Sequence, residues 1–225
     1  MAERSSIFDM IGPIMIGPSS SHTGGVVRIG RVAHHLFGQI PPKAIITFYN
    51  SFSRTYEGHG SDRAILGGLM DMPPDDERLK KALDHAKKLP LDFTFKAVFN
   101  ASALHPNAIR VELDHEGKQL NMLGVSRGGG LISIVEIDGF RCNISAQHPT
   151  LILTAEDVHG SIAFISSVIA HDDCNIGTMT VDRSGKNDRA KLVMELDSSL
   201  RPLTIDYIRS LSWVEEAIYF APPAE

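Results

Sequence analysis

The order of strand-like and helix-like segments after Pro149 restricts the fold of this chain more than any other feature. Four segments are rich in β-branched and aliphatic residues, as strands are, and two have apolar residues at helical spacing. They are strand 150–154, helix 161–171, strands 176–181 and 190–196, helix 202–211 and strand 214–220. This β-α-β-β-α-β order predicts a ferredoxin-like fold, which by itself specifies no function.

The part of the chain before this segment predicts a separate mixed α/β domain. The whole chain is therefore expected to be an α+β protein with domains 1–146 and 148–225. In the first domain we expect helices 24–37, 61–70 and 75–88, strands 44–52, 92–99, 108–113, 119–125 and 131–137, turns at 114–117 and 138–139, and a loop at 124–130.

Charge and hydropathy exclude several classes of protein. The net charge of −5 gives no electrostatic footprint for nucleic acid or for an anionic membrane. The apolar run 7–16 is interrupted by Asp9, Gly12 and Pro13, so it is expected to be neither a signal peptide nor a membrane span. We therefore expect a soluble, cytoplasmic protein that binds neither nucleic acid nor membrane.

The chain has two cysteines, Cys142 and Cys174, which we expect to be buried thiols and not a disulfide framework. Two thiols are too few for an iron–sulfur cluster, which normally needs three or four. No paired-cysteine zinc pattern and no His-Glu-x-x-His motif occur. No metal site is therefore expected on this chain.

Two glycine-bracketed loops carry the chemistry that can be seen in the sequence. Residues 17–25 place His22 among Ser19, Ser20, Ser21 and Thr23, and residues 58–63 place His59 beside Ser61 and Asp62; each loop directly precedes a predicted helix. We expect Ser20, Ser21 or Thr23 to cap the first helix. Free N–H groups at a helix N-terminus favour an anion, so a carboxylate or phosphate is expected there beside a proton-transfer group.

The C-terminal segment resembles an ACT domain, a small regulatory fold that binds amino acids between copies of itself. The resemblance rests on Asp157-Val158-His159-Gly160 and on Asp173-Cys174-Asn175-Ile176-Gly177. It implies self-association and an effector site made by Asp157, His159, Gly160 and Asn175. His159 stands where many of these loops carry proline.

Residues 11–23, together with His105-Pro106-Asn107 and Gly128-Gly129-Gly130, are similar to the iron–sulfur-dependent L-serine dehydratases, and specifically to the β subunit of their two-subunit form. This resemblance implies deamination of L-serine to pyruvate and ammonia, with a 4Fe-4S cluster held by a separate α subunit. It also implies that both histidine loops face the substrate.

The roles that the resemblance implies are as follows. His59 is the candidate base for the α-proton, and His22 positions the substrate or acts as a second acid–base group. Ser61 and Asp62 would orient His59. Ser19, Ser20, Ser21 and Thr23 would bind the substrate carboxylate.

A second hypothesis is an amino-acid sensor without catalytic activity. The N-terminal domain also resembles the allosteric anion-binding domain of some 3-phosphoglycerate dehydrogenases, which favours that reading. The two histidine loops discriminate between the hypotheses, since a sensor can hold a carboxylate with hydroxyls and backbone N–H groups alone. For the dehydratase we expect a homodimer or an α2β2-type assembly.

Overall fold

The computed structural model describes residues 14–221. They form two compact units that divide between Asp138 and Gly139. Both units combine helices with a sheet, which confirms the α+β class. The domain limits 1–146 and 148–225 stay a prediction. Ile11-Gly12-Pro13 and most of the apolar run 7–16 lie outside the described residues.

The first unit places helices against a sheet with the strand order β2-β1-β3-β4-β5. Strands β1 and β2 are parallel, and the other neighbours are antiparallel. The strands are β1 (Lys43–Tyr49), β2 (Asp92–Val98), β3 (Ala108–His115), β4 (Lys118–Gly128) and β5 (Leu131–Ile137). The helices are α1 (Gly25–Phe37), α2 (Ser51–Thr55), α3 (Ser61–Leu69) and α4 (Ala82–Ala86), with a π-helical turn at Ser20–Gly24 and a 3-10 helix at Glu77–Lys81.

Helix α1 forms where the apolar spacing predicts it. Its apolar face is fully buried, and the helix ends at Gly38, whose φ of 81° is left-handed and whose N–H bonds to the carbonyl of His34. Helices α1 and α3 cross at Gly30 and Gly68, where a Cβ on Gly30 would lie 2.6 Å from the carbonyl oxygen of Ile65. The missing side chains let the two backbones come close, so the histidine loop before each helix is held by the same crossing.

Four local predictions were wrong. Strand β1 ends at Tyr49, because a turn at Asn50 starts α2. Residues 124–128 belong to β4, because pairing with β3 and β5 satisfies their backbone. The expected helix 75–88 is divided into the 3-10 helix and α4. The capping side chain is that of Ser19, which caps the π-helical turn, while no side chain caps α1.

The second unit has the predicted β-α-β-β-α-β order. After a short strand that the sequence did not predict, β6 (Phe140–Ile144), come β7 (Thr150–Glu156), α5 (Ser161–His171), β8 (Ile176–Arg183), β9 (Arg189–Leu196), α6 (Pro202–Arg209) and β10 (Val214–Phe220). The strand order β10-β7-β9-β8 is antiparallel throughout, as in a ferredoxin-like sheet. Its core joins the apolar faces of α5 and α6 to the sheet.

The expected burial of both cysteines is confirmed. Cys142 and Cys174 are both buried in the second unit. Among residues 14–221, no helix is long and apolar enough to cross a lipid bilayer.

Candidate active site

The two histidine loops meet in the first unit. His22 lies in the π-helical turn before α1, and His59 lies in the loop between α2 and α3. Their ring centroids are 4.7 Å apart, at an angle of 56°. The half-buried His22 ring also makes an edge contact with Phe52, at 4.8 Å between centroids. Two imidazoles at this distance can act on one small ligand.

The first loop has its shape because its hydroxyls bond to its own backbone and ring. Ser19 is extended, and its Oγ accepts the N–H of His22 at 3.1 Å. The Oγ atoms of Ser21 and Ser19 lie 3.0 and 3.3 Å from Nδ1 of His22. Gly17 has a φ of 143°, and a Cβ there would stand 2.4 Å from the Thr23 side chain. The turn therefore fixes the His22 ring through Nδ1 and turns its other nitrogen away from the serines.

Two buried hydroxyls tie the loops together. Thr23 Oγ1 donates to the carbonyl of His59 at 3.1 Å, and Ser61 Oγ donates to the carbonyl of His22 at 2.7 Å. Each loop thus supplies a hydroxyl that holds the backbone of the other loop's histidine. This reciprocal pair fixes the distance between the two imidazoles.

His22 is the electrostatically unusual member of the pair. Burial, followed by the neighbouring His59, holds the pKa of the His22 imidazole below its ordinary value. Its Nε2 is buried and has no hydrogen-bond partner within residues 14–221. Buried polar atoms are nearly always paired, so an orphaned one in a site points to a ligand atom. His22 is accordingly neutral near pH 7 and presents one unsatisfied nitrogen.

Ser126 joins a third segment to this site. It is fully buried in β4; its Oγ donates to the carbonyl of Ser21 at 2.8 Å, and its N–H donates to the carbonyl of Asn107 at 3.0 Å. A Cβ on Gly25 would stand 2.4 Å from that Oγ. Sequence reasoning missed Ser126 because it lay within the expected loop 124–130, and its partners are distant in the chain.

The remaining sequence-predicted residues have the following places. Asp62 is half-buried, which raises the pKa of its carboxyl; its Oδ1 accepts the N–H of Arg63 at 2.8 Å. The bonds of Ser61 and Asp62 therefore go to the His22 carbonyl and to Arg63, and not to the His59 ring. In the described part of the chain, the Ser20 hydroxyl makes no hydrogen bond, whereas those of Ser19, Ser21 and Thr23 are engaged.

The residues of this chain do not fit an iron–sulfur cluster. Within residues 14–221, no group of three or more histidine, cysteine, aspartate or glutamate side chains could hold a metal ion. The two thiols are both buried in the second unit.

The structure separates the four residues expected to bind an effector. Asp157, His159 and Gly160 follow β7, beside an open depression of about 540 Å³ that Arg189 and Glu215 also line. Asp157 accepts from Asn187 N at 3.1 Å and from Arg183 Nη1 at 3.0 Å, and these bonds hold its pKa below the usual range.

Asn175 precedes β8, where Nδ2 donates to Asp197 Oδ2 at 3.0 Å. Strands β7 and β8 are both antiparallel to β9, so they run parallel to each other. The end of β7 and the start of β8 therefore lie at opposite ends of the sheet, along the strand direction. One copy therefore brings Asp157, His159 and Gly160 together but not Asn175.

The sequence of this chain is similar to those of several known proteins. The model of the family described as serine dehydratase beta chain matches residues 6–136. The chain is 42% identical over 206 residues to a probable L-serine dehydratase, beta chain, of Bacillus subtilis, covering 92% of this chain and 93% of that protein. It is 32% identical over 200 residues to the L-serine dehydratase, beta chain, of Peptoniphilus asaccharolyticus, covering 88% and 89%.

Among solved structures, the chain matches the ACT domain from a GTP pyrophosphokinase of Chlorobium tepidum. That match has 19% identity and a TM-score of 0.26, and it covers 32% of this chain and 95% of the other.

Proposed function

The chain belongs to the family of serine dehydratase beta chains, and from this premise we propose that it is the β subunit of an L-serine ammonia-lyase. The reaction removes the α-proton and the β-hydroxyl of L-serine, which leaves as water. The resulting 2-aminoacrylate tautomerises to an imine, and hydrolysis of the imine gives pyruvate and ammonia.

One observation carries this proposal: the buried Nε2 of His22, which has no hydrogen-bond partner within residues 14–221, lies beside the exposed His59. A connecting loop does not need an orphaned imidazole nitrogen, which costs free energy until a ligand satisfies it. A base for the α-proton must be neutral and within hydrogen-bond reach. The lowered pKa of His22 and its unpaired nitrogen support a site that handles protons near neutral pH.

The two histidines divide the work. His59, at the exposed side of the pair, takes the α-proton, and His22 binds the substrate through Nε2. When His59 has taken the α-proton, its positive charge disfavours protonation of the neighbouring His22. Ser61 contributes by fixing the His22 backbone.

The substrate carboxylate binds at the start of α1. The 13-residue helix presents its positive end there, and the Ser20 hydroxyl, which makes no hydrogen bond within residues 14–221, supplies a donor. Ser19, Ser21 and Thr23 serve by holding the turn in place. Asp62 stays at the entrance to α3, bonded to Arg63.

The partner is an α subunit, and the 4Fe-4S cluster that the family resemblance implies belongs to that subunit, since the residues of this chain do not fit one. The complex works in the cytoplasm. In the second unit, Asp157, His159 and Gly160 bind a regulatory amino acid, and Asn175 reaches it from a second copy.

The test is an anaerobic assay of pyruvate formation from L-serine, with this chain alone, the α subunit alone, and the two combined. Pyruvate from the mixture alone is the expected result. If the mixture makes none while calorimetry detects serine binding to this chain, the dehydratase proposal is overturned in favour of the sensor. The family match over most of the first unit does not favour the sensor.

A further inference from the structure

Asn50, between β1 and α2, has a backbone conformation that glycine ordinarily occupies. Its φ is 52° and its ψ is −113°. Other residues with positive φ usually have positive ψ as well, whereas this combination is typical of the glycine-rich second position of a type II′ turn. Such strain persists only where surrounding contacts enforce it, and it concentrates at functional sites.

The contacts that enforce this conformation come from the segment after β2. Asn50 Oδ1 accepts the N–H of Ala101 at 2.8 Å. Its Nδ2 lies 3.1, 3.1 and 3.3 Å from the carbonyl oxygens of Ala101, Leu104 and His105, so two amide hydrogens are shared among three acceptors. The Asn50 side chain therefore satisfies backbone groups of segment 101–105 and holds this segment in place.

The backbone around Asn50 adds to the same connection. Asn50 N–H donates to the carbonyl of Val98 at 2.8 Å, and the N–H of Ser51 donates to that of Pro106 at 2.9 Å. Ser53 Oγ donates to the carbonyl of Asn50 at 2.6 Å. The segment that follows β2 is thus fixed to the start of α2 at several points.

The two segments that Asn50 joins, 101–107 and α2, both lead to the histidine pair. Segment 101–107 ends at Asn107, and Ser126 bonds both its carbonyl and that of Ser21, the neighbour of His22. On the other side, α2 begins directly after Asn50 and carries Phe52, whose buried ring contacts the His22 ring. Asn50 therefore stands between the two structures that hold His22 in place.

We propose that Asn50 is a positioning residue, whose amide and strained backbone keep Phe52 and segment 101–107 against the His22–His59 pair. It touches neither imidazole and acts through these neighbours. The kinetic part of this inference rests on the proposed function, while its geometric part does not.

Two substitutions separate the amide from the strain. Asn50→Gly relieves the backbone and removes the amide. Asn50→Asp keeps the strain and the acceptor for Ala101, but places a carboxylate oxygen against three carbonyl oxygens. Glu116→Gly is the matched control, because it relieves a positive φ of 47° in the exposed turn between β3 and β4.

Three quantities are measured for each variant: thermal unfolding of the full chain, the nuclear Overhauser contact between the His22 and Phe52 rings, and kcat and KM with the α subunit. Both Asn50 variants are expected to unfold cooperatively, to lose most of the ring contact, and to show a kcat about 10- to 100-fold lower, the loss expected from an ångström-scale misplacement of reacting groups. Glu116→Gly is expected to match the wild type in contact and kcat.

Each other outcome is decisive. The inference is overturned if Asn50→Gly keeps the wild-type contact between the His22 and Phe52 rings and has a kcat within about twofold of the wild type. A mispositioned site would lose far more activity than that. Loss of the unfolding transition in both Asn50 variants also overturns the inference, since Asn50 would then hold the fold and not the site. If the wild-type complex makes no pyruvate, the proposed function fails, and the ring contact alone decides the role of Asn50.

Discussion

The two nitrogens of the His22 imidazole have different surroundings, and this difference determines how the ring is oriented in the site. Nδ1 faces the hydroxyls of Ser21 and Ser19, while Nε2 is buried without a partner in the described residues. A serine hydroxyl beside Nδ1 fixes the ring but leaves the tautomer to the ligand. The ring is therefore oriented in advance, and in the proposed mechanism its other nitrogen binds the substrate.

Replacing His59 tests the division of work at the level of single residues. In the complex with the α subunit, we expect His59→Ala to lower kcat about 10²- to 10⁴-fold, as for loss of a general base. In the free chain, NMR titration should show the His22 pKa rising toward its ordinary value, because the His59 charge no longer opposes protonation. The rise is partial, since burial remains the larger cause.

His115→Ala is the control for this experiment, because His115 ends β3 at the hairpin with β4, where its side chain is 36% exposed. It should change neither kcat nor the His22 titration. Full activity of His59→Ala would exclude His59 as the base, and an unchanged His22 pKa would mean that the two rings are not electrostatically coupled.

Single residues could be predicted from the sequence where their signal was local. Each of His22 and His59 is close in the chain to the hydroxyls of its own loop, and each loop precedes a helix. The side-chain contacts of Ser126 and Asn50 could not be predicted, because their partners are far away: Ser126 Oγ bonds to a residue 105 positions earlier, and the Asn50 amide to residues at least 51 positions later. Such pairs depend on the register of the sheet, which no local pattern specifies.

At the level of elements, the crossing of α1 and α3 makes a direct prediction. Gly30→Ala places a Cβ 2.6 Å from the Ile65 carbonyl oxygen and 2.9 Å from Gly68 Cα, both of them backbone atoms that cannot move aside alone. We expect a loss of about 1–3 kcal/mol in the free energy of unfolding, the usual cost of overpacking. Thermal unfolding checks this value.

Gly58→Ala is the matched control, since the nearest atom to its Cβ would be 3.8 Å away. It should unfold within about 0.5 kcal/mol of the wild type, as surface substitutions usually do. A Gly30→Ala chain as stable as the control would show that the helices do not cross at this distance.

Most elements could be predicted because their ends are marked locally. Helix α1 ends at a glycine with positive φ, and α5 and β10 have the predicted bounds. The failures share one cause, namely that tertiary contacts outweigh local preference. Asn50 ends β1 early through bonds to the 98–105 region, and sheet pairing extends β4 through a glycine-rich segment.

At the level of the whole molecule, the sheet of the second unit ends in two outer strands, β10 and β8. Strand β8 is the last in the order β10-β7-β9-β8, and most of its side chains are exposed or half-exposed. The helices of the same unit expose large apolar side chains, among them Leu203 at 80%. An open edge is a template for pairing with another strand. Both surfaces therefore offer a route to the expected self-association.

We expect the full chain to be a dimer at micromolar concentration, joined through the edge of β8. Val181→Lys, at a position on β8 that is 39% exposed, places on this edge the charge that natural edge strands use to prevent pairing. It should shift the mass measured by light scattering to that of a monomer, while Leu203→Lys on α6 stays dimeric. The reverse result would place the interface on the helices, and a wild-type monomer would contradict self-association altogether.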